Sequence, residues 1–105
     1  MTEQRIVRIS ELEIDPDHLT AYKAALKEEI ETSIRVEPGV LILYAVSLKD
    51  HQNQIRIFES YSSQSTYASH LLTAHFLKYK SEIQTMVKSL TLIETDLILL
   101  GSKAK

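Results

Sequence analysis

The stretch Val40 to Leu48 reads Val-Leu-Ile-Leu-Tyr-Ala-Val-Ser-Leu, apolar at odd and even positions alike. A strand with one face in water alternates, so a strand apolar on both faces must be central or covered twice. Leu90 to Leu100 repeats the pattern, rich in Leu and Ile at both parities. Any fold for this chain therefore has to cover two faces of a sheet. With 105 residues, a length that suits one domain (1–105), it has few elements with which to do so.

The remaining segments say which elements those are. Arg5 to Ile14 predicts a strand, with Val7 and Ile9 on one face and Ile6, Leu12 and Ile14 on the other. That broken parity implies a bulge near Ser10–Glu11 or cover on both faces. Asp15-Pro16-Asp17 is a helix entry: Asp15 can cap free N–H groups and Pro16 suits the first helical position. Leu19, Tyr22, Leu26, Ile30 and Ile34 then recur at steps of three and four, with charged residues mostly between them. This predicts an amphipathic helix of about five turns, stopping near Val36 because the residue before Pro38 disfavours helical angles. Lys49 to Asn53 reads as a polar turn, and Gln54 to Tyr61 as the strand that pairs back. Ile55, Ile57, Glu59 and Tyr61 share one face of that strand, and Arg56, Phe58 and Ser60 the other. After a polar joint at Ser62–Ser65, a short helix through Tyr67, His70 and Leu71 breaks near Thr73. A longer helix is expected from Ala74 to Lys88, with Phe76, Tyr79, Ile83, Met86 and Val87 on its apolar side. The strand Leu90 to Leu100 follows, and Gly101 to Lys105 should fray.

Strand, helix, strand, strand, helix, strand is the α+β order of the ferredoxin-like split βαβ unit, a four-stranded antiparallel sheet with its helices on one face. Right-handed crossovers put the helices on the same side. Nothing in the chain is left to cover the other face, although the strands supply apolar residues to it. Two copies packing their bare faces together would cover both, so a homodimer is expected.

Composition narrows the chemistry. The chain has no cysteine, which removes disulfides, thiolate metal sites and cysteine nucleophiles. Twelve basic against 14 acidic residues give a formal charge of −2, no field for a phosphate backbone, so no nucleic-acid partner is expected. No apolar run approaches the ~20 residues of a membrane span, and the first residues lack a signal-peptide core. A cytoplasmic protein with no membrane partner is the expectation. Two glycines build neither a phosphate loop nor a dinucleotide fingerprint.

Glu37-Pro38-Gly39 opening a strand, Glu59-Ser60-Tyr61 closing a hairpin, and Tyr67, His70 and Ala74-His75-Phe76 in the helices that follow form an ordered set. In this order and spacing they resemble the antibiotic biosynthesis monooxygenase family, and within it the small quinol-monooxygenase-like members. The resemblance runs from about Arg5 to Leu99. It implies a dimeric α+β barrel with a pocket in each subunit between sheet and helices. It also implies oxidation of an electron-rich aromatic substrate, a quinol or phenol, by molecular oxygen without flavin or metal. Heme-degrading relatives carry an Asn in the first strand, a Trp on the short helix and a His ligand in the next helix. Here the first strand has no Asn, and the other two positions are His70 and Lys80.

Oxygenation without a cofactor needs a base, a dry aromatic-lined pocket and hydrogen bonds to an oxyanion. His70 is the candidate base, since free imidazole titrates near neutrality and Tyr67 lies three residues earlier on the same helical face. The bland alternative is a half-buried imidazole bonded to a backbone carbonyl. Glu59, a carboxylate on an otherwise apolar strand face, is either a second acid–base group or an anchor for the joint at Ser62–Ser65. Tyr61 stands where many relatives have Trp, and could stack on a substrate and donate to it. Tyr44, Tyr67, Phe76 and His75 complete the candidate substrate contacts, with ordinary core the competing role, above all for Phe76. No metal is expected: His75 follows His70 by five across a helix break, unlike the i, i+4 pair that brings two imidazoles together. His18 and His51 read as solvated. Two further functions fit the same pattern. An isomerase or lyase for a small phosphorylated signal would need a pocket cation such as Arg35 or Arg56, and Arg56 has the wrong parity to join Glu59. A non-catalytic dimer that carries an aromatic ligand would need none of the chemistry.

Overall fold

The computed structural model describes residues 4–103; Met1 to Glu3, at the start of the chain, and Ala104 and Lys105, in the tail expected to fray, lie outside the described residues. The elements run β1 (Ile6–Ile14), a 3-10 turn (Pro16–His18), α1 (Leu19–Val36), β2 (Val40–Leu48), β3 (His51–Tyr61), α2 (Gln64–His70), α3 (Ala74–Ile83) and β4 (Val87–Thr95). The strands form one antiparallel sheet in the order β2-β3-β1-β4. This is the ferredoxin-like α+β fold.

The first helix enters as its sequence dictates: the Asp15 carboxylate accepts the Asp17 N–H at 3.0 Å, and Pro16 opens the 3-10 turn. It stops at Val36 because Glu37, ahead of Pro38, is extended (φ −112°, ψ 102°). The stripe that α1 buries is Tyr22, Ala25, Leu26, Glu29 and Ser33. Its Tyr22, Ala25 and Leu26 pack with Leu12, Ile14, Ile55, Ile57 and Tyr79 into the core, each fully buried aliphatic contributing roughly 1.5–3 kcal/mol. The Tyr22 and Tyr79 hydroxyls satisfy each other at 2.9 Å inside it.

Four boundaries differ from the sequence expectation. The hairpin turn is only Lys49–Asp50, since the Gln52 side chain donates to Lys49 O at 2.9 Å and β3 starts at His51. Between β1 and β3 the register runs unbroken through Ser10–Glu11, and the irregularity falls at Glu13/Ile14, against β4. Helix α3 ends at Ile83 rather than Lys88. The Asp15 N–H captures the Met86 carbonyl at 2.8 Å, and Val87 pairs with Ile14, so Met86 and Val87 leave the helical path although their spacing continued it. Strand β4 ends at Thr95, where its pairing with β1 stops at Val7; among the described residues Leu97 to Leu100 find no strand to pair with, and Ile98 is 99% exposed.

Strand β2 is an edge strand, not a central one. Its double apolar parity is real nonetheless. Leu43 and Ala45 stand in register with Glu59 and Ile57, on the helix side, while Ile42, Tyr44 and Val46 stand in register with Ser60, Phe58 and Arg56. On that second side no helix lies among the described residues, and Tyr44 and Val46 are half exposed.

Candidate active site

The site is assembled by a tight joint between β3 and α2. Ser63 caps α2 in a capping box, its hydroxyl accepting the Thr66 N–H while the Thr66 hydroxyl accepts the Ser63 N–H. The first turn of α2 lies so close to the start of β2 that a Cβ on Gly39 would stand 2.5 Å from Thr66 Cγ2. Glycine is required there for close approach, not for an unusual φ. The Ser62 N–H donates to Gly39 O at 2.9 Å and fixes the contact. Helix α2, seven residues long, ends at His70. Thr73 donates its hydroxyl to His70 O at 2.8 Å and accepts the Phe76 N–H at 3.2 Å, so one side chain closes α2 and opens α3.

This break turns His75, in the first turn of α3, back toward the end of α1. His70 Nδ1 and His75 Nε2 both reach Glu37 Oε2, at 2.9 and 2.6 Å. On the other side of its ring, His70 Nε2 lies 3.6 Å from Glu29 Oε1, which accepts the Ser33 hydroxyl at 2.7 Å. Burial lifts the Glu29 carboxyl above the usual carboxylate range, against the Ser33 bond and the nearby imidazoles. Burial acts on Glu37 in the same direction, but the hydrogen bonds and charges of His70 and His75 outweigh it and hold that carboxyl low. The expectation that a spacing of five keeps the imidazoles apart is thus corrected: their ring centroids are 6.2 Å apart, because the chain bends between them. Glu29, His70 and His75 offer donor atoms within 4.8 Å of one another, close enough to hold a divalent ion.

Between the sheet and the helices lies a cavity of about 360 Å³, within the ordinary range for a small-molecule site. Leu12, Leu26, Leu43, Ile57, Phe76 and Ile83 are among its apolar walls, and Leu90 and Leu92, both half exposed, lie toward the β4 edge. Its polar groups are Ser10, Glu29, Glu59, Tyr61, Tyr67 and His70, with Arg8 and Lys80. Glu59 is not an anchor for the Ser62–Ser65 joint. Its Oε2 accepts the Ser10 hydroxyl and its Oε1 the Tyr61 hydroxyl, both at 2.6 Å. Burial and the Glu59 carboxylate push the Tyr61 phenol far above its ordinary value, so it stays a hydrogen donor at any working pH. Tyr67 packs edge-on to Tyr61 at 4.9 Å under the Arg8 guanidinium, which also pairs with Glu94 at 3.0 Å.

Of the residues singled out from the sequence, His70, Glu59, Tyr61, Tyr67 and Phe76 line this cavity. Tyr44 does not: strand parity puts it on the opposite face, stacked on Phe58 with centroids 4.7 Å apart. His75 stands behind His70, bonded to Glu37, rather than on the cavity wall. Arg56 is also on the far face, 3.4 Å from Glu11. Glu29 was missed. The available signal was its place in the buried stripe, four residues before a serine able to donate to it. Glu37 stood out only as part of a tripeptide, with nothing local to show that two imidazoles converge on it.

A ferredoxin-like sheet with a buried histidine–carboxylate cluster beside a largely apolar cavity defines an α+β domain with room for a small molecule. Residues 5–82 match the family model described as antibiotic biosynthesis monooxygenase, and the chain belongs to that family. A crystal structure from Bacteroides thetaiotaomicron, provisionally named an antibiotic biosynthesis monooxygenase, is 47% identical over 97% of each chain, with a TM-score of 0.92. A monooxygenase, also provisionally named, from Lactobacillus acidophilus is 28% identical (TM-score 0.83) over 87% of this chain and 44% of its own. A Nitrosomonas europaea protein with the same provisional name as the first shares the fold at 22% identity, covering 93% and 94% of the two chains, with a TM-score of 0.85. No curated protein shows significant similarity to the sequence.

Proposed function

We propose that this chain is a cofactor-independent monooxygenase that oxidises a phenolic, quinol- or anthrone-like substrate with molecular oxygen, working as a homodimer. The observation that carries the reading is His70 Nε2. Glu37, held ionised, can only accept hydrogen bonds, so His70 Nδ1 carries a hydrogen. The neutral imidazole then has its lone pair on Nε2, beside Glu29 and the cavity.

A substrate hydroxyl, or the CH₂ of its keto form, would lose its proton to Nε2. The anion gives an electron to oxygen, the two radicals combine at carbon, and the resulting hydroperoxide loses water to leave a carbonyl. One oxygen atom enters the product and the other leaves as water, so CH₂ becomes C=O without an external reductant. Tyr61 gives its single hydrogen to Glu59, so it would stabilise a developing oxyanion only by turning that hydrogen from Glu59 toward the substrate. Glu59, with both oxygens engaged, is better suited to orienting Tyr61 than to taking the proton. The carboxylates Glu29, buried, and Glu59, half-buried, make a poor cradle for a phosphorylated ligand, and Arg8 already has Glu94 as a partner.

Oxygen uptake with a panel of quinols and anthrones, in the presence of a metal chelator, tests the proposal. One oxygen consumed per carbonyl formed, with uptake lost in His70→Ala, supports it. Uptake no faster than the protein-free blank across the panel overturns it.

A further inference from the structure

Glu37 lies outside the cavity wall, yet one of its oxygens is bonded to two imidazoles from different helices. We infer that Glu37 is a positioning residue: it holds His70 in the Nδ1–H tautomer, turning a bare Nε2 lone pair toward Glu29 and the cavity, and His75 clamps it in place. The inference deepens the reading of His70 as the base and rests on it.

The geometry is directional. An imidazole alone in water prefers neither nitrogen strongly enough to guarantee a base, and in the other tautomer Nε2 would carry its hydrogen toward the substrate. A carboxylate at 2.9 Å from Nδ1 removes the choice, because it has no hydrogen to offer. Glu37 could swing away, since it sits at the end of α1 and just ahead of β2. His75 prevents this with a second bond, 2.6 Å, to the same oxygen, and its own orientation is set by the Thr73 hinge that closes α2 on His70. Both imidazoles can donate to that one oxygen at once, so the clamp does not compete with the tautomer bond. The ring is also flanked by Tyr61 and Phe76, with centroids at 5.3 and 5.0 Å. Side chains from three separate segments thus converge on one proton position, far more constraint than simple burial of a histidine needs.

Nitrogen-15 spectra of protein labelled in its imidazoles read the tautomer without any substrate. In the wild type, His70 should give a protonated Nδ1 and an unprotonated Nε2. Glu37→Leu, which deletes the acceptor, should shift His70 toward the other tautomer and lower kcat by about 10²-fold with KM little changed. Glu37→Gln keeps an acceptor oxygen and should retain both the tautomer and most of the activity. A wild-type His70 protonated on Nε2 overturns the inference, as does a Glu37→Leu protein whose His70 tautomer is unaltered. The wild-type spectrum stands as the test even if Glu37→Leu does not fold. The spectra are also independent of turnover: inactivity on every phenol with the expected tautomer present removes the proposed reaction and leaves the positioning role.

Discussion

The two faces of this sheet both carry apolar side chains, but only the helix-covered one, which holds the core of Leu12, Ile14, Ile55 and Ile57, also encloses a polar cluster. The face covered by helices carries charged and polar groups: Glu29, Glu59, His70 and Tyr61 lie between α1, α2, α3 and the strands. The face without helices carries an apolar run, Ile42, Tyr44, Val46 and Phe58, beside the Arg56–Glu11 ion pair and Ser60. A monomer would be expected to keep such an apolar run out of water. The difference teaches that the two faces serve different ends. Polar groups are buried where low dielectric sharpens their chemistry, and apolar groups are left outward where a second copy can cover them.

The largest test of that division is on the polar face. His70→Ala should reduce turnover of any accepted phenol by about 10²-fold or more, with the fold retained because His75 still holds Glu37. Circular dichroism beside the rate measurement separates the two effects, and full activity in a folded variant would remove His70 as the base.

Next comes a pair of neighbouring lysines that should behave oppositely. Ile42→Lys puts a charge on the bare face and should yield monomers by light scattering at micromolar concentration. Leu43→Lys points into the cavity, so the dimer should survive while ligand binding is lost. Monomeric wild type at that concentration would refute the dimer altogether.

Smaller effects are expected at the joint and in the core. Gly39→Ala should destabilise the protein by about 1–3 kcal/mol in denaturant titrations, because the new methyl meets Thr66. Adding Thr66→Ser, which deletes Cγ2 and keeps the capping hydroxyl, should restore part of the loss. Tyr22→Phe leaves the buried Tyr79 hydroxyl without its partner and should cost about 1–3 kcal/mol, whereas Tyr22→Phe with Tyr79→Phe should cost less. If the double variant is the worse of the two, the hydroxyl pair is not what the single change disturbs.

The smallest effects are in the pH dependence of stability, where the two carboxylates of the cluster have opposite signs. The Glu37 carboxyl is lowered, so its contribution is present above the ordinary carboxylate range and lost as pH falls through its own lower value. The Glu29 carboxyl is raised, so its contribution is present below that range and lost as pH rises through its higher value. Thermal melts across pH should therefore show Glu37→Gln flattening the acid limb, and Glu29→Gln removing a decline on the other side. Parallel curves for both variants and wild type would contradict these assignments.

How much of this was legible in the sequence follows from the range over which each feature is decided. Parity and helical spacing are local, so the split βαβ order, the break near Thr73 and the placement of Glu59 and Tyr61 on one face could be read directly. Tyr44 was misassigned to the cavity for want of the β2–β3 register, since one residue of parity decides the face. The end of α3 was hidden because Met86 continues the helical spacing while its carbonyl is claimed by Asp15, 71 residues away in sequence. The convergence of Glu37, His70 and His75 spans a strand hairpin and a helix break. No spacing rule carries that distance, so an ordered set of residues could suggest the family but not which oxygen meets which nitrogen.

The rings crowded around His70 also make the site its own reporter. Tyr61, Phe76 and His75 have centroids 5.3, 5.0 and 6.2 Å from its imidazole, so ring currents should displace its carbon-bound proton resonances from their solution values. A flat aromatic guest entering the cavity would add another ring current beside this shell and move those resonances again. Titrating candidate compounds while following one imidazole signal would thus rank them by occupancy of the cavity, before any of them is known to react.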